Sequence, residues 1–278
     1  MRDVIQRLFL LTLFTVLLNA CGSGGSGDAP PTGGGKPAEP GKPAEPEKPA
    51  EPAKPAKPAT PATASIQGTI KFTGTARPMP IMTAQMAADP ACAAAWAGKE
   101  PPKAEVIVAG PDSTLANVFV YISKGVKQRF APVREPVKFD QKDCVYSPHV
   151  FGVRVGQPIE ITNSDATLHN VHTLPKNSKG MNQGQNKGAP ALTTKFAKPE
   201  VMVKIKCDVH SWMNAYVGVV EHPYFGVSGG DGKFSFSEKI AAGTYEVTAW
   251  HERFGELKQQ VTIADGETKD LSFSFEAK

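Results

Sequence analysis

The sequence predicts an all-β protein built from two small sandwiches. Three observations carry that prediction. Apolar and polar residues alternate at period two in Ile66–Phe72 and Glu200–Cys207, the mark of half-buried strands. Towards the end of the chain, Gly229-Gly230-Asp231-Gly232, Ala242-Gly243, Phe254-Gly255 and Asp265-Gly266 punctuate short β-branched and aromatic runs at intervals of roughly 8–12 residues, the rhythm of a sandwich. No stretch sustains the 3.6-residue apolar period of a long amphipathic helix.

The elements follow in order. Ile66, Gly68, Ile70 and Phe72 share one face of a strand that ends at Gly74. The Ala-rich stretch Ala84–Ala97 predicts a short helix around Cys92 and Trp96, started by Asp89-Pro90, residue types suited to a helix N-terminus. Val106–Ala109, Val118–Ile122 and, after the interruption Pro132–Pro136, Val137-Lys138-Phe139 read as strands. Val150–Val155 and Pro158–Asn163 are strand pieces parted by Gly156-Gln157, and Leu168–Thr173 is the next. Lys176–Pro190, rich in Asn, Gln, Gly and Lys, reads as a long exposed loop. In Glu200–Cys207, Val201, Val203 and Ile205 lie on one face, and Cys207 continues their parity, so it enters from the core side. Asn214–Val220 closes that sheet. After His222-Pro223, Phe234-Ser235-Phe236, Thr244–Trp250, Leu257–Ile263 and Asp270–Phe275 are the strands of the second unit.

The first 64 residues have no part in a core. Arg2 and Arg7 precede a short apolar run, Leu8–Leu18, in the pattern of a bacterial export signal over residues 1–20. Leu17-Leu18-Asn19-Ala20-Cys21 resembles a lipobox, which implies lipidation at Cys21; a cleaved signal with Cys21 left as a thiol is the plainer alternative. By the same resemblance, Gly22 rather than Asp after Cys21 implies the outer membrane over the inner. Residues 21–64 are Gly/Ser-rich, then repeat Lys-Pro-Ala-Glu-Pro themes from Lys36 to about Pro61. Such a tract predicts a disordered, extended spacer in which about 25 stiff residues at about 3.1 Å each reach on the order of 80 Å. The net charge of +4 is modest and gives no reason to propose a nucleic-acid partner. Export places the rest in an oxidising compartment of the cell envelope, periplasm or surface, where disulfides persist. If Cys207 binds metal, Cys92 and Cys144 remain as a disulfide pair; free buried thiols are the alternative.

The chemistry concentrates in Lys206-Cys207-Asp208-Val209-His210-Ser211-Trp212-Met213 and in His169-Asn170-Val171-His172. A thiolate, imidazoles and a weak thioether form the ligand set of a single copper electron-transfer site. Cys207, His210 and Met213, at a spacing of three and three, converge from one tight loop. The fourth ligand comes from a neighbouring strand. His169 and His172 differ by three, so in an extended strand only one of them faces the metal.

These two motifs resemble the cupredoxins, above all amicyanin and plastocyanin, and Gly156-Gln157-Pro158-Ile159-Glu160-Ile161-Thr162-Asn163-Ser164-Asp165 resembles the strand leading to their first ligand. The resemblance implies a cupredoxin-like Greek-key β-sandwich over residues 65–221, with one type 1 (blue) copper held by His169, Cys207, His210 and Met213. It also implies that Asn170 ties the two ligand loops together and that His210 lies near the surface, where the electron leaves. It covers residues 137–221 well and 65–136 loosely. Ser211 stands where short-loop members often have Pro, and Ile205 where an aromatic is frequent. Residues 222–278 resemble the small transthyretin-like, carboxypeptidase regulatory-like β-sandwiches, through Asp231-Gly232-Lys233-Phe234 and Ala242-Gly243-Thr244-Tyr245; this implies a fold and no reaction.

Plainer readings compete residue by residue. A site that kept the fold and lost the metal, or a zinc site, would leave the same ligands in place. His172 and His149 read as structural, with metal contact as the alternative for each; His222, His251 and Met181 carry no ligand pattern. Trp212 either packs over the site or offers an aromatic on a docking face beside His210. No nucleophile turn marks a hydrolase, and four ligands leave a copper no open position for substrate. The sequence therefore predicts a lipid-anchored electron carrier, not an enzyme, that serves redox proteins such as a cytochrome c or a periplasmic dehydrogenase. A copper delivery, storage or cell-surface interaction module on the same scaffold is the alternative.

Overall fold

The computed structural model describes residues 61–75, 82–100 and 102–277. The stretch read as an export signal, Cys21 and nearly all of the stretch read as a spacer lie outside the described residues. The described part is all-β apart from short helical turns, and its strands fall into four sheets enclosing two main cores.

The first core joins the two ends of the described chain. Ala62–Thr73 is its central strand. It runs parallel to Thr268–Glu276 through nine successive pairs, from Ser65↔Thr268 to Thr73↔Glu276. Lys233–Ser235, Ile240–Ala241 and Thr114–Leu115 pair with it antiparallel. The period-two face Ala64, Ile66, Ile70 and Phe72 turns inward. Gly68 completes that face because a Cβ there would lie 1.7 Å from the Leu271 carbonyl oxygen. The opposing sheet runs Phe225–Val227, Phe119–Lys124, Gly243–His251, Gly255–Ile263. It contributes Val120, Ile122, Val247 and Ala249 to the same core.

The domain boundary expected at residue 222 is therefore corrected. Residues 222–278 do not close a sandwich by themselves; they share one with residues 62–124, and the ladder begins at Ala62 rather than Ser65. The chain leaves this split sandwich beyond Lys124 and returns at Phe225, which pairs with Tyr121.

Between those two points lies the inserted sandwich. One sheet runs Asn182–Gln185, His169–Leu174, Glu200–Lys206, Asn214–Val220, Val150–Arg154. The other runs Leu192–Thr194, Ile159–Asn163, Val137–Lys142, Val145–Ser147. Phe139, Val171, Val203, Ile205 and Val217 are among the residues that fill the space between them. The exposed loop expected over Lys176–Pro190 contains a strand instead: Asn182–Gln185 pairs antiparallel with His169–His172. Three of its four side chains are exposed, so backbone hydrogen bonds hold it and it carries no apolar pattern.

A small apolar interface joins the two sandwiches. Phe119 is buried with Val150 and Val220, and a Cβ on Gly218 would sit 2.4 Å from its ring. The His149 ring nitrogen Nε2 bonds the Glu252 carboxylate across the same seam.

Residues 82–100 and 102–104 form a flap outside both sandwiches. Its helical turns Thr83–Met86 and Pro90–Ala95 divide the single short helix expected over Ala84–Ala97. The Asp89 side chain caps the second, accepting from Ala91 N at 2.7 Å and Cys92 N at 3.2 Å. A Cys92–Cys144 disulfide ties the flap to the inserted sandwich. Met82, Met86, Cys92 and Cys144 make a small core of their own, against which Trp96 and Trp212 pack.

Candidate metal centre

Two local rules place the donors. In His169–Leu174, alternation turns His169, Val171 and Thr173 inward and leaves His172 on the other face. In Glu200–Lys206, Val203 and Ile205 face the core, and Cys207 keeps their parity. The chain then turns tightly: Met213 N donates to the His210 carbonyl at 3.0 Å, and Cys207 N to the Met213 carbonyl at 3.1 Å. His210 N points at Cys207 Sγ, 3.2 Å away. The turn closes with Cys207, His210 and Met213 all inside it.

The result is a buried cluster. His169, Cys207 and His210 each offer one ligand atom, and the three atoms lie within 4.8 Å of one another. The Nδ1 atoms of His169 and His210 are 2.8 Å apart, and Cys207 Sγ is 4.0 Å from His210 Nδ1. Met213 is buried in the same apolar cluster as Cys207. Exposure is 0% at His169, 2% at Cys207, 4% at His210 and 1% at Met213. Asn170 links the two ligand segments: its Oδ1 accepts from Asp208 N, and the Tyr146 hydroxyl donates to its carbonyl.

The electrostatics suit a cation. Burial alone would pull the His169 pKa down, but the Asp165 carboxylate, 2.8 Å from Nε2, and the Cys207 sulfur lift it to about 9. Burial alone would raise the Cys207 thiol; the bond from His169 and the N–H groups of Asn170, His210 and Val209 bring it below its ordinary value. His210 is held below its usual value by burial, against the pull of Asp89, with the charge on His169 adding to the depression. Two imidazoles with facing Nδ1 atoms beside a thiol of lowered pKa therefore share a proton where they could share a metal. Metal binding to such a set releases protons. One soft sulfur, two imidazole nitrogens and a thioether fit copper; the thioether argues against zinc, which favours stronger donors.

Other residues go elsewhere. His172 Nδ1 bonds Asp208 Oδ2 at 2.8 Å and is outside the cluster. His149, His222 and His251 are likewise outside it: His149 bonds the Asn214 carbonyl and Glu252, and His222 the Ile122 carbonyl. Met181 packs at the edge of the inserted core.

The surface position implied for His210 is corrected. The flap covers it: Asp89 Oδ2 stands 3.1 Å from His210 Nε2, and Cys92 Sγ 3.9 Å from the same nitrogen. Trp212 is half-buried under the flap, donates from Nε1 to the Cys144 carbonyl at 2.9 Å, and has its ring 4.9 Å from that of His210. The carboxylates behind the two imidazoles went unseen in the sequence. Asp165 lies four residues before His169, a spacing with a detectable signal; Asp89 is eighty positions away from that strand and showed only a helix cap.

No family model matches the chain, and no curated protein matches it. Among solved structures, a purple cupredoxin from Nitrosopumilus maritimus is 22% identical over 30% of this chain and 98% of its own, with a TM-score of 0.26. A mutant amicyanin in its Cu(I) form is 21% identical over 36% of this chain and 97% of its own, TM-score 0.28. A Cu-containing nitrite reductase from Thermus scotoductus is 18% identical over 37% of this chain, TM-score 0.29; the match spans only 25% of the reductase. Likenesses this low carry no weight for the function of the centre.

Proposed function

We propose that this chain is a mononuclear type 1 copper protein that passes single electrons between redox proteins. One observation carries the proposal: the Cys207 thiol and the His169 and His210 imidazoles offer ligand atoms within 4.8 Å of one another inside a buried core, with Met213 buried beside them. Bound copper supplies a one-electron couple. Cys207 provides the thiolate, His169 and His210 the imidazoles, and Met213 a weak thioether that tunes potential. Asn170 fastens the two ligand segments to each other, which limits rearrangement between oxidation states. All four side chains are sealed from water, which supports a carrier over an enzyme, since metal catalysis on a bound substrate needs an open position. Residues 137–221 supply the cupredoxin-like frame. The apolar run Leu8–Leu18 and the lipobox-like stretch ending at Cys21 support lipid anchoring in the envelope, and the proline-rich spacer supports a tethered search for partners such as a cytochrome c or a periplasmic dehydrogenase.

The test is a visible spectrum. With one equivalent of Cu(II), the protein is expected to show an intense thiolate-to-copper band, to bleach and recover on one-electron reduction and oxidation, and to lose the band on Cys207→Ser. A colourless Cu(II) adduct in the wild type refutes the proposal. Burial of His210 under the flap favours one other reading, copper storage; tight Cu(I) retention without reversible cycling would select it.

A further inference from the structure

Both imidazoles of the centre stand the same way, with Nδ1 inside the cluster and Nε2 against a carboxylate. His169 Nε2 is 2.8 Å from Asp165 Oδ2, and His210 Nε2 is 3.1 Å from Asp89 Oδ2. Neither carboxylate is loose. Asp165 also accepts from Asp143 N at 2.6 Å and Cys144 N at 2.8 Å. Asp89 accepts from the Thr167 hydroxyl at 2.8 Å and caps its helix through Oδ1. One comes from the inserted sandwich, the other from the disulfide-tied flap.

We propose that Asp89 and Asp165 are positioning residues of the metal centre: each fixes its imidazole with Nε2–H on the carboxylate and Nδ1 toward the metal, and each places a negative charge that favours the oxidised over the reduced ion. The inference rests on the copper function proposed above. Carboxylates bonded to a ligand imidazole orient the ring and raise its basicity. An anion held behind a ligand imidazole stabilises a doubly charged ion more than a singly charged one, and it does so more strongly where water is excluded. The Asp165 side chain is 9% exposed and that of Asp89 21%, so the inner residue has the larger effect. Loss of such a partner typically weakens metal affinity 10–100-fold. For Asp165→Asn, Cu(II) affinity is expected to fall about tenfold relative to Cu(I) affinity, a shift of about 59 mV for a one-electron couple; Asp89→Asn gives a smaller shift of the same sign. The flap thus sets part of the potential of a site it does not ligate.

The experiment uses the full chain and three variants: Asp165→Asn, Asp89→Asn and Asp89→Ala. Asn keeps an acceptor oxygen and a good helix cap while removing the charge. Cu(II) and Cu(I) affinities come from chelator competition, the potential from a spectroelectrochemical titration, and the His210 tautomer of the metal-free protein from ¹⁵N NMR. Raised potentials in the Asn variants with the visible band retained, and an Nδ1–H tautomer appearing at His210 only in Asp89→Ala, support the inference. An unchanged Cu(II)/Cu(I) affinity ratio in the Asn variants, beside a wild type that shows the band, overturns it and leaves the copper function standing. A wild type without the band takes both down. If Asp165→Asn fails to fold, because Asp165 also holds the Asp143–Cys144 turn, Asp89→Asn decides alone: an unchanged ratio there overturns the inference.

Discussion

Truncation after Glu221 separates a split sandwich from two sandwiches in tandem. The cut removes every strand that pairs with Ala62–Thr73 except Thr114–Leu115, including the nine-pair parallel ladder with Thr268–Glu276. Ala64, Ile66, Ile70, Phe72, Leu115, Val118, Val120 and Ile122 remain, and all eight lose partners from residues 224–275. Exposing a Val, Leu, Ile or Phe costs about 1.5–3 kcal/mol, so the seven larger ones together cost on the order of 10–20 kcal/mol. A whole domain is stable by only about 5–15 kcal/mol, so residues 62–124 cannot remain folded. The inserted sandwich keeps all its own sheet partners. Hydrogen–deuterium exchange resolved by segment is the assay. Residues 66–72 and 119–122 are expected to exchange at unfolded rates in the truncated chain, while 203–206 and 214–219 stay protected. Persistent protection at 66–72 would refute the split architecture.

Gly218→Ala drives a methyl to 2.4 Å from the Phe119 ring at the seam; overpacking of this kind costs about 1–3 kcal/mol, which calorimetry should read as a Tm lower by roughly 2–4 °C per kcal/mol. Replacing both Cys92 and Cys144 by Ser opens a cross-link between residues 52 apart; a loss of about 2–4 kcal/mol in urea titrations is expected, together with faster exchange of copper with an external chelator, and equal exchange rates would mean that the flap does not guard the metal. Burial alone would depress the His149 pKa, but Glu252 first, then Glu105 and the Asn214 carbonyl, raise it above its ordinary value. Its stabilising contribution is therefore complete below an unfolded value of about 6.5 and disappears as pH rises through the folded value. The stability difference between wild type and His149→Gln should be larger at pH 6 than at pH 9, and a difference that grows with pH would contradict the ion pair.

Local signals in the chain were legible where the physics is local. Period two in Ile66–Phe72 marked the central strand, the parity of Cys207 put its sulfur indoors, and the offset of three set His169 and His172 on opposite faces. Asp89-Pro90 marked a helix start because a cap needs only its next three residues. Long-range pairing was not legible. Ala62–Thr73 carries nothing that says its neighbour lies some two hundred positions away, and Asn182–Gln185 joins a sheet with no apolar alternation to announce it. The cover over His210 depends on a flap docking through a cysteine pair and one carboxylate, and residue types at a spacing give no view of such docking.

The return of the chain to Tyr121 at Phe225 has a consequence for the order of folding. Residues 137–220 contain all their own sheet partners, so that unit can complete itself without the rest of the chain. Ala62–Thr73 must wait for Thr268–Glu276, and closing so distant a contact is intrinsically slow. The ligand cage can therefore close while the frame around it is still open, and the chain holds a formed cage inside an incomplete host until Thr268–Glu276 docks.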